Sequence, residues 1–486
     1  MGTVYRIHPA IGIARVGNHA TAFFVGPESP GSPGVEIDAG GTETPLTTYK
    51  AAGRIKRQAA RFRVFEYEET ADGTLELHGE VGPDTEVDWT VDLVNRKAAL
   101  DRTVGPARPR NTGVADRRTL EIRNPQPATI CGPSQPAVRL RGRFLGTPVP
   151  IGELRTDPQG RLLVLGGHGT SASVPAGVPL TNFANNDRWY DDVADGPVTA
   201  TVTPPGGTPI RVQGSAWVVV APPDFAPGVV SIVTLHDIAT QAAIDRGWLT
   251  PEQRPSFTRH IRPMVERTAD MRWVDDYAEW EDLQPLDLAR LADPSPAARP
   301  LRQRVAGRVR QPGLARFRLP PFLRTYLDQW AAGDFVSDHG TPPADPPLPE
   351  QLDRAALDQG SGNNFFPGIE AGQTLQDPAM YGSPYRLDAT NTSLVHPGCL
   401  TEVMALPWQA DFRDCDGGVW WPSQRPDLVM TDPDDIPGSE AEWENPIQLY
   451  REMVDDVQRL GFVVPRTHQG QRVHVEVERD PTYPRQ

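Results

Sequence analysis

Alternation of apolar and polar residues predicts β-strands in the first half of the chain. Every second residue from Val87 to Leu93 is apolar, which is the signature of a half-buried strand. GRLLVLGG (160–167) and SAWVVVAPPDFAP (215–227) are short apolar runs that end at Gly or Pro, as buried strands do. We therefore expect a β-rich N-terminal domain over residues 1–233.

The apolar spacing becomes helical at about residue 234. The first helical stripe comprises Leu235, Ile238, Ala239, Ala242 and Ala243. Gly247 follows this stripe as a C-terminal cap. A second stripe runs from Phe322 to Trp330 and ends at Gly333. These stripes predict a helical segment over residues 234–337.

The last part of the chain is rich in loops. The Pro-rich stretch 338–350 is the best candidate for a boundary. A helix is expected to begin with Asn445 as N-cap and Pro446 in its first turn, and to be capped by Gly461. One face of this helix would carry Ile447, Tyr450, Met453, Val457 and Leu460. A final strand is expected to direct Val473, Val475 and Val477 inward and His474, Glu476 and Glu478 outward. The predicted class is α+β: a β-rich N-terminal half with long ordered loops, a helical middle, and a loop-rich C-terminal region (338–486) that carries the candidate site.

Composition excludes several classes of protein. The chain has 486 residues, and its 48 Lys and Arg against 63 Asp and Glu give a formal charge of −15. This balance argues against nucleic acid as a main partner, because nucleic acid requires a basic surface. No apolar run approaches the roughly 20 residues that a membrane helix needs. The N-terminus lacks the pattern of a secretory signal, so we expect a cytoplasmic protein without a membrane partner, with non-standard export left open.

Common metal, phosphate and hydrolase motifs are absent from the sequence. The ten His residues occur singly, no HExxH pair is present, and we predict no metal site. The Gly clusters GGHG (166–169) and GSGNN (360–364) match neither phosphate-binding pattern and are predicted to be turns. No GxSxG motif occurs. Three Cys residues are too few for a disulfide framework or a CxxC-type zinc site, so any reactive cysteine is expected to act singly.

One segment has an unusual composition. LPWQADFRDCDGGVWWPSQRPDLV (406–429) places one Cys among three Trp and several Asp. One interpretation is a packing loop in which the indoles bury apolar area. The other is a cofactor made by joining a thiol to an indole, since Cys415 and Trp421 are six residues apart across two glycines that allow a tight turn. Asp411, four residues before Cys415, would then supply a nearby carboxylate for proton transfer.

A series of blocks covers most of the chain and matches the pattern of a known family. The blocks are YRIHPAIGIARVGN (5–18), FFVGPESPG (23–31), GRIKRQAARFRVFEY (53–67), VDWTVDLVNRKAA (87–99), ELRTDPQGRLLVLGG (153–167), FANNDRWYDDVADGPV (183–198), SFTRHIRP (256–263), NNFFPGIE (363–370) and residues 406–429. In this order they resemble the lysine ε-oxidase/glycine oxidase family of amino-acid oxidases. The resemblance implies a cysteine tryptophylquinone cofactor.

The resemblance also assigns roles to individual residues. PWQADFRDC resembles the block that ends in the cofactor cysteine, which places that role on Cys415. The family aspartate required for cofactor formation falls on Asp411. The WWP motif makes Trp421 the expected quinone precursor, with Trp420 as the second choice. The long insertion that separates cysteine from tryptophan in familiar members is absent, and another family cysteine is replaced at about Gly360.

The function implied by the resemblance is oxidative deamination. A small amine or amino acid would be oxidised with O₂ to an aldehyde or keto acid, ammonia and hydrogen peroxide, and a separate flavoprotein would mature the quinone. Two other functions remain open: a peptide-tailoring oxygenase that has the same fold but uses a metal, and a scaffold that binds a partner through its β-rich half. Homo-oligomer formation is also left open.

Overall fold

The computed structural model describes residues 2–38, 40–275, 283, 286–310, 318–341, 344–362, 371–414, 423–432 and 440–485. The class is mixed α+β, as the sequence predicted. A large sheet occupies the N-terminal half, helices follow in the middle, and short strands and loops dominate the C-terminal region.

The strands of the N-terminal half belong mainly to one extended network. They are β1 (Gly2–His8), β2 (Ile11–Arg15), β3 (Phe23–Val25), β4 (Val35–Ile37), β5 (Glu43–Pro45), β6 (Lys50–Ala51), β7 (Arg54–Ile55), β8 (Arg57–Glu69), β9 (Leu75–Glu80), β10 (Glu86–Val91), β11 (Val94–Asn95), β12 (Ile122–Arg123), β13 (Ala128–Cys131), β14 (Val138–Phe144), β15 (Thr147–Thr156), β16 (Leu162–Gly166), β17 (Ala172–Ser173), β18 (Trp189–Tyr190), β19 (Ala194–Thr203), β20 (Ile210–Arg211) and β21 (Ala216–Ala221).

Two long strands organise this network. β8 pairs antiparallel with β1, β9 and β16 and parallel with β3. β19 pairs antiparallel with β10 and β21, and β21 in turn pairs parallel with β2. Because β2, β16 and β21 are buried along their whole length, they read as continuous apolar runs. The predicted alternation in β10 is confirmed, since Val87, Trp89 and Val91 are buried while the residues between them are more exposed.

The helical middle follows the sheet. The α-helices of the described residues are α1 (Leu235–Asp245), α2 (Arg262–Asp270), α3 (Leu288–Leu291), α4 (Arg299–Val309), α5 (Pro321–Ala332), α6 (Leu348–Leu357), α7 (Gly372–Leu375), α8 (Trp408–Asp414) and α9 (Tyr450–Asp456). A π-turn at Phe257–Ile261 precedes α2. Both predicted helical stripes are confirmed, except that Phe322 at the start of the second stripe is only partly buried. Gly333 ends α5 in the left-handed conformation with φ of 95°.

The C-terminal region adds short hairpins. Its strands are β22 (Tyr381–Ser383), β23 (Arg386–Leu387), β24 (Leu428–Met430), β25 (Glu440–Glu442), β26 (Phe462–His468) and β27 (Gln471–Val477). Each forms an antiparallel pair with its sequence neighbour. The division of the chain at residues 233 and 337 remains a prediction.

The predicted start of the last helix is wrong. α9 begins at Tyr450 rather than after Asn445. The Arg479 guanidinium donates to the carbonyl of Asn445 over 2.9 Å, which holds this stretch outside the helix. The Glu452 carboxylate accepts the Leu449 N–H over 3.0 Å and closes the first turn instead. A 3₁₀ turn follows α9 directly.

The predicted alternation of burial in the last strand is also wrong. In β27 both Val475 and His474 are buried. The His474 Nε2–H donates to the Gly228 carbonyl over 3.1 Å, and its ring lies 5.7 Å from that of Trp273. Burial lowers the pKa of His474 to about 3, so the imidazole is neutral. The helical middle covers the face of the hairpin that the pattern assigned to solvent.

The apolar core is largely continuous from the sheet to the C-terminal region. It contains six tryptophans whose side chains are at most 2% exposed: Trp89, Trp189, Trp217, Trp330, Trp408 and Trp443. Across the described ranges, no helix is both long and apolar enough to span a membrane.

Candidate functional site

The helix that carries Asp411 begins at a fixed anchor. The backbone N–H of Trp408, the first residue of α8, donates to a carboxylate oxygen of Asp191 over 3.2 Å. Just before the helix, the side-chain amide of Asn186 donates to the Leu406 carbonyl over 2.9 Å. Two side chains from the segment before β19 therefore determine where α8 begins.

A buried ion pair lies beside the start of α8. Asp191 forms this pair with Lys97 Nζ, and both side chains are fully buried. The side-chain amide of Asn95 donates to the second Asp191 oxygen over 3.0 Å. Burial lowers the pKa of Lys97, and the charge of Asp191 opposes that shift. Removing one partner of such a pair leaves the other charge buried without compensation, so the anchor of α8 depends on Lys97 as well.

Asp411 is buried in the first turn of α8. Asp411 is only 1% exposed. Burial and the charge of Arg110 lower the pKa of Lys97, whereas the charges of Asp191 and Asp411 raise it. The Asp411 carboxyl group therefore lies within electrostatic range of the Lys97 ammonium. A carboxylate held near a cation and away from bulk water is suited to receive and return a proton.

A glycine-containing loop encloses a second carboxylate, that of Asp192. The loop is GGHG (166–169), and a Cβ added at Gly167 would lie 2.4 Å from Asp192 Oδ2. The Thr170 N–H donates to the same oxygen over 3.1 Å. Burial raises the pKa of Asp192 to about 7, although backbone hydrogen bonds such as that from Thr170 lower it. Glycine is therefore needed at position 167 for the backbone to approach the carboxylate closely.

Aromatic rings pack against α8. The rings of Trp408 and Phe412 lie 4.9 Å apart, and the Phe412 ring lies 6.0 Å from that of Phe225. The Phe225 ring is in turn 4.8 Å from that of Trp443. These contacts fix the rotation of α8 and support the packing interpretation for Trp408, one of the three tryptophans of the 406–429 segment.

The chain returns to α8 after residue 422. The Arg425 Nε–H donates to the Phe412 carbonyl over 2.8 Å, and the Arg425 guanidinium lies 3.3 Å from the buried Glu444 carboxylate. The hydroxyl groups of Ser423 and Ser231 are 3.1 Å apart. Phe412 and Arg425, which flank the segment 413–424, are thus joined by a hydrogen bond.

The three remaining residues of the predicted site lie in this segment. Cys415, Trp420 and Trp421 fall outside the described residues, so the thioether link and the choice between the two tryptophans stay predictions. Asp411 is the predicted site residue that the structure describes.

Several charged residues near α8 were not singled out from the sequence. Besides Lys97, Asp191 and Asp192, they include Asp195, which accepts from the Trp217 indole over 2.9 Å and from the Thr401 N–H over 2.8 Å. Burial raises the pKa of Asp195 to about 6. The sequence could have indicated them, because they are charged residues within apolar strand segments, and charged groups are rarely buried without a role.

A group of potential metal ligands occurs elsewhere. Within the described ranges, ligand atoms of Glu86, Asp88 and Cys131 lie within 4.8 Å of one another on β10 and β13. Both carboxylate residues are exposed, and burial followed by the charge and hydrogen bond of Asp88 raises the pKa of Cys131 to about 12.

Comparison with known proteins identifies the family. The model of the L-lysine epsilon oxidase N-terminal region matches residues 8–220, and the model of the L-lysine epsilon oxidase C-terminal domain matches residues 310–443. The first range contains Lys97 and Asp191, and the second contains Asp411. The chain belongs to the L-lysine epsilon-oxidase family of amino-acid oxidases, which confirms the resemblance seen in the sequence.

Individual relatives agree with this assignment. L-lysine 6-oxidase from Marinomonas mediterranea is 27% identical over 530 residues, covering 84% of this chain and 70% of that protein. The crystal structure of the L-Lys epsilon-oxidase from the same organism has a TM-score of 0.79 at 23% identity, covering 98% of this chain and 95% of that one. The structure of its Schiff base intermediate with L-Lys has a TM-score of 0.80 at 23% identity. These two structures show that the fold is shared.

Proposed function

We propose that this protein is a quinone-dependent oxidase that oxidatively deaminates an amine or amino acid. O₂ is the electron acceptor, and the products are an aldehyde or keto acid, ammonia and hydrogen peroxide. The observation that carries the proposal is the buried Asp411, held on α8 four residues before Cys415 and within electrostatic range of Lys97. Membership of the amino-acid oxidase family supports it independently.

The proposed cofactor is cysteine tryptophylquinone, formed from Cys415 and Trp421. Its chemical components fit this chain, because a thiol and an indole occur in a segment whose ends are joined by the Arg425–Phe412 hydrogen bond. When formed, the quinone would supply an electrophilic carbonyl and accept two electrons. A separate flavoprotein is the proposed maturation partner.

The protein's own residues have distinct proposed roles. Asp411 accepts the proton from the carbon that bears the substrate nitrogen, and its burial keeps water away from that proton. Lys97 places a positive charge within range of Asp411, and Asp191 holds both Lys97 and the first turn of α8. The aromatic contacts of Phe412 keep α8 from rotating about its axis.

Intact mass tests the cofactor. We expect the protein produced with its maturation partner to lose hydrogens at the thioether link and to gain two oxygen atoms. Cys415→Ser should abolish this change, whereas Cys131→Ser, which alters a thiol on β13, should leave it intact. An unmodified mass from the native host, with a free thiol at Cys415, would refute the quinone.

The two adjacent tryptophans provide a sharper test. Adjacent residues in an extended segment point to opposite sides, so we predict that only one of the two indoles is joined to the cysteine. Trp421→Phe should abolish the quinone and amine-dependent peroxide release, because a phenyl ring cannot be oxygenated in the same way. Trp420→Phe should keep the cross-link and cost roughly 1–2 kcal/mol of stability. A cross-linked peptide that maps to Trp420 would reverse the assignment.

A further inference from the structure

A cavity is formed between the helical middle and the first part of the C-terminal region. Its volume is about 250 Å³, and its walls come from α1, the π-turn, α2, α5, α6 and the turn that holds Tyr385. Its lining among the described residues includes none from the 406–429 segment. Three features of this cavity define the chemistry of a ligand.

The first feature is a fixed guanidinium. The Arg354 Nε–H donates to Asp358 Oδ2 over 3.3 Å. Asp358 is itself held by the Thr234 hydroxyl over 2.8 Å and by Arg267 over 3.1 Å. Burial raises the pKa of Asp358, but the Arg267 and Arg354 charges outweigh it and bring the pKa to about 2, so this carboxylate stays ionised. The terminal nitrogens of Arg354, which lines the cavity, make no hydrogen bond within the described part of the chain.

The second feature is an oriented histidine in the π-turn. His260 Nδ1 accepts the Ser256 N–H over 3.0 Å, so the neutral ring carries its proton on Nε2. The ring packs 4.9 Å from that of Tyr326. Burial lowers the pKa of His260, the charge of Glu252 raises it, and the charge of Arg354 lowers it. The π-turn thus contributes a second donor to the cavity that Arg354 lines, in keeping with the frequent occurrence of π-helical segments at functional sites.

The third feature is a flat aromatic wall. The rings of His236 and Tyr385 are stacked, with centroids 5.1 Å apart and an angle of 12° between their planes. The Thr240 hydroxyl donates to the His236 carbonyl over 2.8 Å, so the Tyr385 hydroxyl donates to Thr240 over 3.1 Å. These bonds hold the stack in place. Phe322 and Leu323 of α5 add an apolar wall.

The charged groups around the cavity are of both signs. Arg267 is neutralised by Asp237 and Asp358 at 3.0 and 3.1 Å. The exposed Glu252 is a further carboxylate of the lining, and the exposed Arg259 is a further cation. Arg354 and His260 therefore supply two donors to the lining of a space that also has aromatic and apolar walls.

We propose that this cavity binds a small carboxylate that carries an apolar or aromatic side chain. The carboxylate pairs with the terminal nitrogens of Arg354 and with His260 Nε2–H, because a guanidinium fork matches the two carboxylate oxygens. The side chain lies against the His236–Tyr385 stack and Phe322. This site does not depend on the proposed quinone.

Calorimetric titration tests the proposal in Trp421→Phe protein, in which the proposed quinone cannot form. The probes are 3-phenylpropionate, acetate and inorganic phosphate. We expect 3-phenylpropionate to bind more tightly than acetate or phosphate, since only it matches both parts of the cavity. Arg354→Gln should weaken its binding by about tenfold or more, while the matched control Arg324→Gln on α5 should not.

A second variant guards against an effect on folding. If Arg354→Gln lowers the melting temperature, His260→Gln should still weaken 3-phenylpropionate binding severalfold in a protein that melts normally. The proposal fails if 3-phenylpropionate does not bind, if phosphate binds equally well, or if neither substitution changes the affinity. Because quinone formation plays no part in this titration, its failure leaves the proposed oxidase function untouched.

Discussion

At the scale of single residues, carboxylates on α8 and around the start of β19 are buried. Asp411, Asp191, Asp192 and Asp195 are each at most 1% exposed. Their partners differ: Asp191 has a lysine, whereas Asp192 and Asp195 have neutral donors. The neutral donors do not fully offset burial, and the pKa values of Asp192 and Asp195 are raised.

Asp411→Asn tests the proposed acid–base role. The substitution keeps the shape of the buried side chain but removes the ionisable group, so we expect loss of quinone absorbance and of amine-dependent peroxide with little change in melting temperature. Asp245→Asn, on the exposed side of α1, is the control, and its quinone absorbance and peroxide release should equal those of the protein without a substitution. Normal absorbance and turnover in Asp411→Asn would exclude this role.

Asp192→Asn tests the pH dependence. The pKa of Asp192 in the folded protein is raised to about 7, so the folded state binds this proton more tightly than the unfolded state does. The associated stability is present below the unfolded pKa of about 4 and is lost as the pH rises to about 7. Asparagine is neutral at every pH, so the variant does not lose this stability. The melting temperature of the variant minus that of the protein with Asp192 should therefore increase between pH 5 and pH 8. A constant difference would show that Asp192 does not titrate in this window.

At the scale of elements, α8 is positioned by the sheet half rather than by its own sequence. It has only seven residues, and a helix this short is marginal without tertiary contacts. The Asp191 carboxylate accepts its first N–H group, and Arg425 binds the Phe412 carbonyl. The Lys97–Asp191 pair connects these contacts to the 3₁₀ turn that follows β11.

Lys97→Met tests this connection. It leaves Asp191 buried without its cation, and we expect the free energy of unfolding to fall by roughly 3–5 kcal/mol. Arg118→Met removes an exposed pair with Asp116 and should cost less than about 1 kcal/mol. Chemical denaturation of both variants measures the difference. Equal effects would mean that the buried pair does not support α8.

At the scale of the whole molecule, the C-terminal region is fastened to the sheet through buried side chains. Asp195 of β19 accepts from the N–H and hydroxyl groups of Thr401 and from the Trp217 indole. The Arg386 guanidinium, from β23, donates to carbonyls of Ile7 and Ser215. The candidate site is thereby assembled from distant parts of the chain.

Asp195→Ala tests this attachment. It leaves the Thr401 and Trp217 donors buried without an acceptor, at a cost of about 1–3 kcal/mol for each unsatisfied group. We expect a clearly lower melting temperature and faster proteolysis of the C-terminal region. Asp88→Ala, at an exposed position of the same sheet, should change neither. Unchanged proteolysis in Asp195→Ala would show that other contacts hold the region.

The sequence alone determined the fold class, the positions of β10, β16, β21, α1 and α5, and the family. The alternation in β10 and the stripes of α1 and α5 report which face of an element is buried, and that information is local. The ordered blocks gave the family and, through it, the roles predicted for Asp411, Cys415 and Trp421. Those roles rest on spacing within one segment.

Only the tertiary structure decided what surrounds these elements. Lys97 and Asp191 are 94 residues apart in the chain, and their pairing near Asp411 depends on how the sheet packs against α8. The late start of α9 and the burial of His474 have the same origin, since Arg479 and Trp273 reach them from other parts of the chain. A local pattern specifies an element's own apolar face, whereas buried charges are selected by partners that come together only on folding.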